Sequence, residues 1–137
     1  MAKNLRFAVI GAGRIGLVHA GSVFDTKGAE LVYMVDPIKE AADKIAAQFD
    51  CKAATDPVAV INSGEIDAVI IGSPTPTHVP LLSAAIDAGV HALCEKPIDV
   101  TRVLDLGCSI INNLIDNPIA YRFTDLGLAS SKNFCRC

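Results

Sequence analysis

The chain has no tryptophan, and aromatic residues make up only 5% of its 137 residues. Its core must therefore be aliphatic, built mainly from Ala, Val and Ile. Basic residues are not in excess: 12 Lys and Arg stand against 15 Asp and Glu, a formal charge of −3. That excludes the electrostatic footprint that a nucleic-acid backbone demands. No apolar run reaches the roughly 20 residues needed to cross a membrane. The first residues, Met-Ala-Lys-Asn-Leu-Arg, lead straight into a strand with no signal-peptide pattern, so a cytoplasmic protein is expected. Internal repeats, linkers and low-complexity segments are absent. The five cysteines, Cys51, Cys94, Cys108, Cys135 and Cys137, are odd in number and irregular in spacing, which gives no disulfide framework. Cys94 sits in an apolar strand and reads as a small core residue. Cys135 and Cys137 have no other ligands clustered near them, so a frayed tail is expected there and no metal site is predicted anywhere.

What remains is a chain that is 51% hydrophobic, long enough for one domain with a substantial core. Strand and helix signals alternate along it. Apolar runs at 5–10, 29–35, 66–72 and 90–94 read as buried strands, with a short one at 51–54. Helical spacing marks 14–24, with Ile15, Val18 and Val23 facing inward, and 38–49, with Ile38, Ala42, Ile45 and Phe49 inward. Asp56-Pro57 caps a short helix to about Asn62. A further helix over 79–88 ends at Gly89. Residues 101–115 are expected to be helical and 119–123 a last strand. The alternation predicts an α/β fold with a doubly wound parallel sheet. The domain is expected over 4–123, with an irregular tail over 124–137.

Three turns carry the chemistry. The first is Gly11-Ala12-Gly13-Arg14-Ile15-Gly16, a G-x-G-x-x-G pattern between a strand and a helix. Gly11 permits the tight turn, Gly13 leaves room for a pyrophosphate, and Gly16 lets the helix pack close to the sheet. Backbone N–H groups from Arg14 and Ile15 onward would face the anion. Asp36 ends the second strand, twenty positions after Gly16. A carboxylate there accepts hydrogen bonds from ribose hydroxyls and repels a 2′-phosphate, which favours NAD over NADP. Arg14 and Lys39 leave NADP open.

The second turn, Ser73-Pro74-Thr75-Pro76-Thr77-His78, follows the fourth strand, where ligands bind in open α/β sheets. Ser73, Thr75 and His78 are candidate cofactor contacts. Thr77 is also a candidate N-cap, and a structural role weighs more for His78 than a general base. The third turn is Glu95-Lys96-Pro97. Lys96 is the candidate catalytic residue, a positive charge set to steer a hydroxyl proton, with Glu95 beside it at the cofactor. A cis bond before Pro97 would orient it. His19 and His91 read as packing or surface residues.

The GAGRIG, SPTPTH and CEKP segments, taken with Asp36, resemble the glucose–fructose oxidoreductase / inositol dehydrogenase family over residues 4 to about 105. The spelling is closest to inositol 2-dehydrogenase-like members. The resemblance implies an N-terminal Rossmann domain that binds NAD or NADP. It also implies that Lys96 lies near the nicotinamide and the substrate hydroxyl, and that the substrate is a polyol or sugar. Family members carry a second domain that supplies an Asp and a His to the active site. No histidine follows His91 here, so that domain is expected to be missing and activity weak or nil. Tyr121 to Asp125 resemble a degraded start of that half. A truncated gene product, a shifted reading frame and a fragment all stay open, as does a homo-oligomer. Two other functions compete: a non-catalytic dinucleotide-binding module, and a methyltransferase, against which the TPTH and EKP turns argue.

Overall fold

A computed structural model describes residues 4–98. The expected helix at 101–115, strand at 119–123 and tail at 124–137 lie outside the described residues.

Five parallel strands form one sheet: β1 (Leu5–Ile10), β2 (Ala29–Val35), β3 (Lys52–Ala54), β4 (Ala68–Ile71) and β5 (His91–Cys94). Their spatial order is β3-β2-β1-β4-β5. Four helices alternate with them: α1 (Arg14–Phe24), α2 (Lys39–Phe49), α3 (Pro57–Ile61) and α4 (His78–Asp87). The chain winds outward from β1 to β3, then returns to β4 on the other side of β1. That reversal between β1 and β4 opens a crevice at the carboxyl ends of the strands.

Two apolar cores cover the two faces. On one, Val9, Met34 and Ile70 pack against Ala20 and Val23 of α1 and Ile45 and Ala46 of α2. On the other, Ile10, Val35 and Ile71 meet Leu81, Leu82 and Ala85 of α4, with Val60 and Ile61 of α3. Strand residues alternate between these cores, so both faces are apolar, as a sheet covered by helices on each side requires. The doubly wound parallel sheet expected from the sequence is therefore the fold.

The inward face of α1 differs from expectation. Ile15 and Val18 are exposed, at 41% and 58%, and the buried stripe is Gly16, Ala20 and Val23. The cause is the close approach at Gly16: small residues at i and i+4 face the sheet, and the larger aliphatics are turned outward. Ile38 is likewise 62% exposed. It stands at the N-cap of α2 with extended backbone, outside the helical phase that buries Ala42 and Ile45. β4 begins at Ala68 rather than Ile66; Asp67, just before it, donates its N–H to Arg6 O at 2.8 Å and takes the Arg6 guanidinium on its carboxylate.

Local termini follow the sequence. Asp56 accepts from Ala59 N–H at 3.0 Å with Pro57 at the first helical position. Gly89 takes φ of 68° just past α4. At the β3 edge, the Tyr33 hydroxyl donates to Glu65 at 2.8 Å and Lys52 pairs with the same carboxylate at 2.6 Å. Those partners, Lys52 foremost, hold Glu65 below the ordinary carboxylate range.

Candidate functional site

The register of the sheet aligns the strand exits. Ile10 lies opposite both Val35 and Ile71, Ile71 opposite Cys94, and Val35 opposite Ala54. The next residue of each strand therefore falls on one edge. Gly11 N–H donates to Val35 O, Asp36 N–H to Ala54 O, Gly72 N–H to Ile10 O and Glu95 N–H to Ile71 O, all between 2.7 and 3.1 Å. The glycine turn, Asp36 and the two later turns are thus neighbours across the crevice, although 80 residues separate Ile15 from Glu95 in sequence.

The glycines of the first turn meet different constraints. Gly11 has φ of 102°, and a Cβ there would lie 2.7 Å from Gly72 O. The first and second turns therefore abut at the crevice. A Cβ at Gly16 would lie 1.7 Å from Gly11 O. A Cβ at Gly13 would meet nothing within 4 Å. The protein itself has no steric need for glycine there; the open space lies over the start of α1, where a ligand would approach. Gly13 offers no side-chain cap to α1, and the first turn of that helix holds no acidic residue. Its N-terminal N–H groups and the positive end of its dipole are left for an anion. Arg14 is exposed beside them. The Ile15 side chain lies over Gly72, 3.7 Å from where a Cβ would stand.

Asp36 is anchored through both carboxylate oxygens. Oδ2 accepts from Ala12 N–H at 2.7 Å, and Oδ1 accepts from Ile38 N–H at 2.8 Å. The side chain therefore braces the glycine turn as well as facing the edge. Each oxygen has a second lone pair for a further donor.

In the second turn, Thr75–Thr77 form one 3₁₀ turn. Thr77 Oγ1 donates to Pro74 O at 2.7 Å, so the 2.6 Å contact with Ser73 Oγ has Ser73 as donor. Thr77 makes no side-chain cap on α4, contrary to expectation, because its hydroxyl is committed within the turn. Ser73 and Thr75 remain partly exposed at the crevice. His78 is enclosed, at 1% exposure. Its Nε2 lies 2.7 Å from Ser73 O and its Nδ1 2.9 Å from Pro97 O. Both ring nitrogens are turned to main-chain carbonyls rather than to the open edge, which favours a structural ring over a base or a cofactor contact.

The third turn has a cis Lys96–Pro97 bond. Lys96 is exposed. Glu95 is half-buried, and its Oε1 accepts from His19 Nε2 at 2.7 Å. A carboxylate can only accept, so the proton of this bond lies on Nε2. His19, expected to be a packing or surface residue, is therefore tied to the candidate site. Nothing local in the sequence signals a pair 76 residues apart. The neighbouring Cys94 thiol is pushed up to about 12 by burial and by the Glu95 charge, so it is inert at neutral pH, in keeping with a core residue.

Among the described residues, no cluster of His, Cys, Asp or Glu could hold a metal ion, and no helix is long and apolar enough to cross a membrane. A shallow depression between Asn62, Asp67, Gly89 and His91 lies at the opposite, amino edge of the sheet, away from these turns.

A doubly wound sheet with an open glycine turn at its first strand exit and a carboxylate at its second defines a dinucleotide-binding Rossmann domain. The chain belongs to the glucose–fructose oxidoreductase / inositol dehydrogenase family, whose sequence model, described as an oxidoreductase family with an NAD-binding Rossmann fold, matches residues 5–107. It is 43% identical over 98 residues to inositol 2-dehydrogenase 4 of Saccharopolyspora erythraea, covering 70% of this chain and 29% of that protein. It is 38% identical over 103 residues to the NAD(+)-dependent scyllo-inositol 2-dehydrogenase of Bacillus subtilis, covering 74% of this chain and 30% of that one. A crystal structure of a myo-inositol dehydrogenase from Corynebacterium glutamicum superimposes with a TM-score of 0.73 at 40% identity, covering 81% of this chain and 34% of the other. The chain thus spans about 30% of the length of the curated relatives it matches.

Proposed function

We propose that this chain is the NAD-binding part of an oxidoreductase that moves hydride between a nicotinamide cofactor and a hydroxyl-bearing carbon of a polyol or sugar, an inositol in the first instance. When bound, the cofactor supplies the hydride acceptor or donor. The chain's own residues bind and orient it. The N–H groups at the start of α1 take the pyrophosphate across the open space at Gly13, and Arg14 adds positive charge beside them. Asp36 accepts from the ribose hydroxyls. Ser73 and Thr75 border the crevice, with Ile15 lying over Gly72. Lys96, with Glu95 beside it, stands at the nicotinamide end, where its ammonium donates a hydrogen bond to the substrate oxygen and the hydroxyl proton passes to a base outside the described residues.

The observation that carries this reading is the Asp36 carboxylate, fixed by Ala12 and Ile38 N–H groups beside the glycine turn. A fixed negative charge at that point matches a ribose diol and opposes a 2′-phosphate, which makes NAD the preferred cofactor over NADP. The relatives named as inositol dehydrogenases support the substrate class. The chain by itself is expected to bind NAD with weak or no turnover.

Calorimetric titration of the 137-residue chain with NAD⁺ and NADP⁺ tests the reading. NAD⁺ should bind at least about tenfold more tightly, a difference of roughly 1.4 kcal/mol, and Asp36→Ser should narrow the gap. Absence of NAD⁺ binding at millimolar concentration would sink the proposal. In a parallel assay with myo-inositol and NAD⁺, brisk NADH formation would contradict the expected low turnover.

A further inference from the structure

Lys96 is exposed on a turn, and it forms no hydrogen bond or ion pair among the described residues. A lysine has four rotatable bonds, so on a loose turn its ammonium would sweep a large volume. The structure holds the residue on each side of it instead. His19, in the second turn of α1, donates from Nε2 to the side chain of Glu95. His78, the first residue of α4, turns Nδ1 to the carbonyl of Pro97. The two helices lie on opposite faces of the sheet, since α1 packs on the Val9–Met34–Ile70 face and α4 on the Ile10–Ile71 face.

We propose that His19 and His78 are positioning residues that clasp the Glu95-Lys96-Pro97 turn from both faces and so aim the Lys96 ammonium. The inference rests on the reading above that Lys96 stands at the nicotinamide end. Each histidine also joins this turn to another cofactor-facing segment. His19 belongs to the helix that the glycine turn opens. The Nε2 of His78 lies 2.7 Å from Ser73 O, at the exit of β4; the ring donates to both carbonyls at once only as an imidazolium, with a proton on each nitrogen. Three turns separated in sequence are thereby linked through two imidazoles.

Stability gives little reason for the first of these bonds. The His19 and Glu95 side chains keep 20% and 34% of their exposure, and partly exposed pairs of this kind add little to folding. Their effect is on geometry.

The two oxidation states of the cofactor give a readout that general damage does not move. NADH differs from NAD⁺ only by one hydride added to the nicotinamide ring, which cancels the ring's positive charge, so a positive Lys96 disfavours NAD⁺ relative to NADH. In the full chain, Lys96→Met should lower the ratio Kd(NAD⁺)/Kd(NADH) by about threefold, the scale of one partly exposed charge contact. His19→Leu should lower the ratio in the same direction. His19→Gln, which restores a donor at similar reach, should bring it back. His19→Leu in the Lys96→Met background should add nothing. If His19→Leu weakens both ligands equally and leaves the ratio unchanged, the histidine is scaffold only and the proposal is overturned, with the reading of Lys96 intact. If Lys96→Met leaves the ratio unchanged, the reading itself falls and takes the proposal with it. The buried ring of His78 makes substitution a folding risk, so the unsubstituted chain is used. Its ring ¹⁵N resonances should be those of a hydrogen-bonded, slowly exchanging imidazole and should move when NADH is added. Signals of a freely exchanging ring, or no movement on binding NADH, would count against its role.

Discussion

Gly13 and Gly16 stand three residues apart and are glycines for different reasons. At Gly16 the limit is internal: an added Cβ collides with the carbonyl of Gly11, which the fold cannot move without opening the turn. Gly16→Ala should therefore cost on the order of 3 kcal/mol, the upper range for overpacking, read as a large drop in thermal midpoint. At Gly13 the limit is external. An added methyl meets only open space and the backbone is extended rather than left-handed, so Gly13→Ala should cost no more than about 1 kcal/mol, the difference between N-cap residues. The same variant should lose at least tenfold in NAD⁺ affinity. Equal loss of stability in the two variants would remove the case for an approaching ligand at Gly13. At this scale the sequence is legible where a residue's backbone constraint depends on its neighbours in the chain, as at Gly11 and Gly16. It is not legible for His19, whose partner lies 76 residues away.

Each of the five strands and four α-helices of the described residues falls within a residue or two of where periodicity and termini place it. Periodicity misled on faces rather than on existence. Counting large aliphatics turned Ile15 and Val18 inward, whereas the sheet takes the small stripe Gly16, Ala20 and Val23. Helical spacing places Ile38 in α2, whereas Asp36 takes its N–H and leaves it outside the helical phase. Terminus chemistry holds at Asp56 and Gly89 but not at Thr77, whose hydroxyl is bonded within its own turn. The five-residue α3 is too short to hold itself together without packing and capping. Asp56→Ala removes the bond to Ala59 N–H and should destabilise the chain by about 1 kcal/mol. A denaturant midpoint unchanged by that substitution would mean that burial of Val60 and Ile61 alone holds the helix.

At the scale of the molecule, one edge of the sheet gathers the candidate cofactor and catalytic residues among the described residues. The cause is register: level strand exits bring Gly11, Asp36, Gly72 and Glu95 together, and the chain reversal between β1 and β4 leaves a crevice at their centre. The chain spans about 30% of the length of its curated relatives. Amide resonances of the ¹⁵N-labelled chain, followed as NAD⁺ is added, show directly whether the carboxyl edge holds the cofactor. Resonances of Gly11 to Gly16, Asp36, Ser73, Thr75, Glu95 and Lys96 should shift together and saturate together, while Arg6, Asp67, Gly89 and His91 at the amino edge stay in place. Shifts centred on the amino edge, or none at saturating NAD⁺, would contradict it.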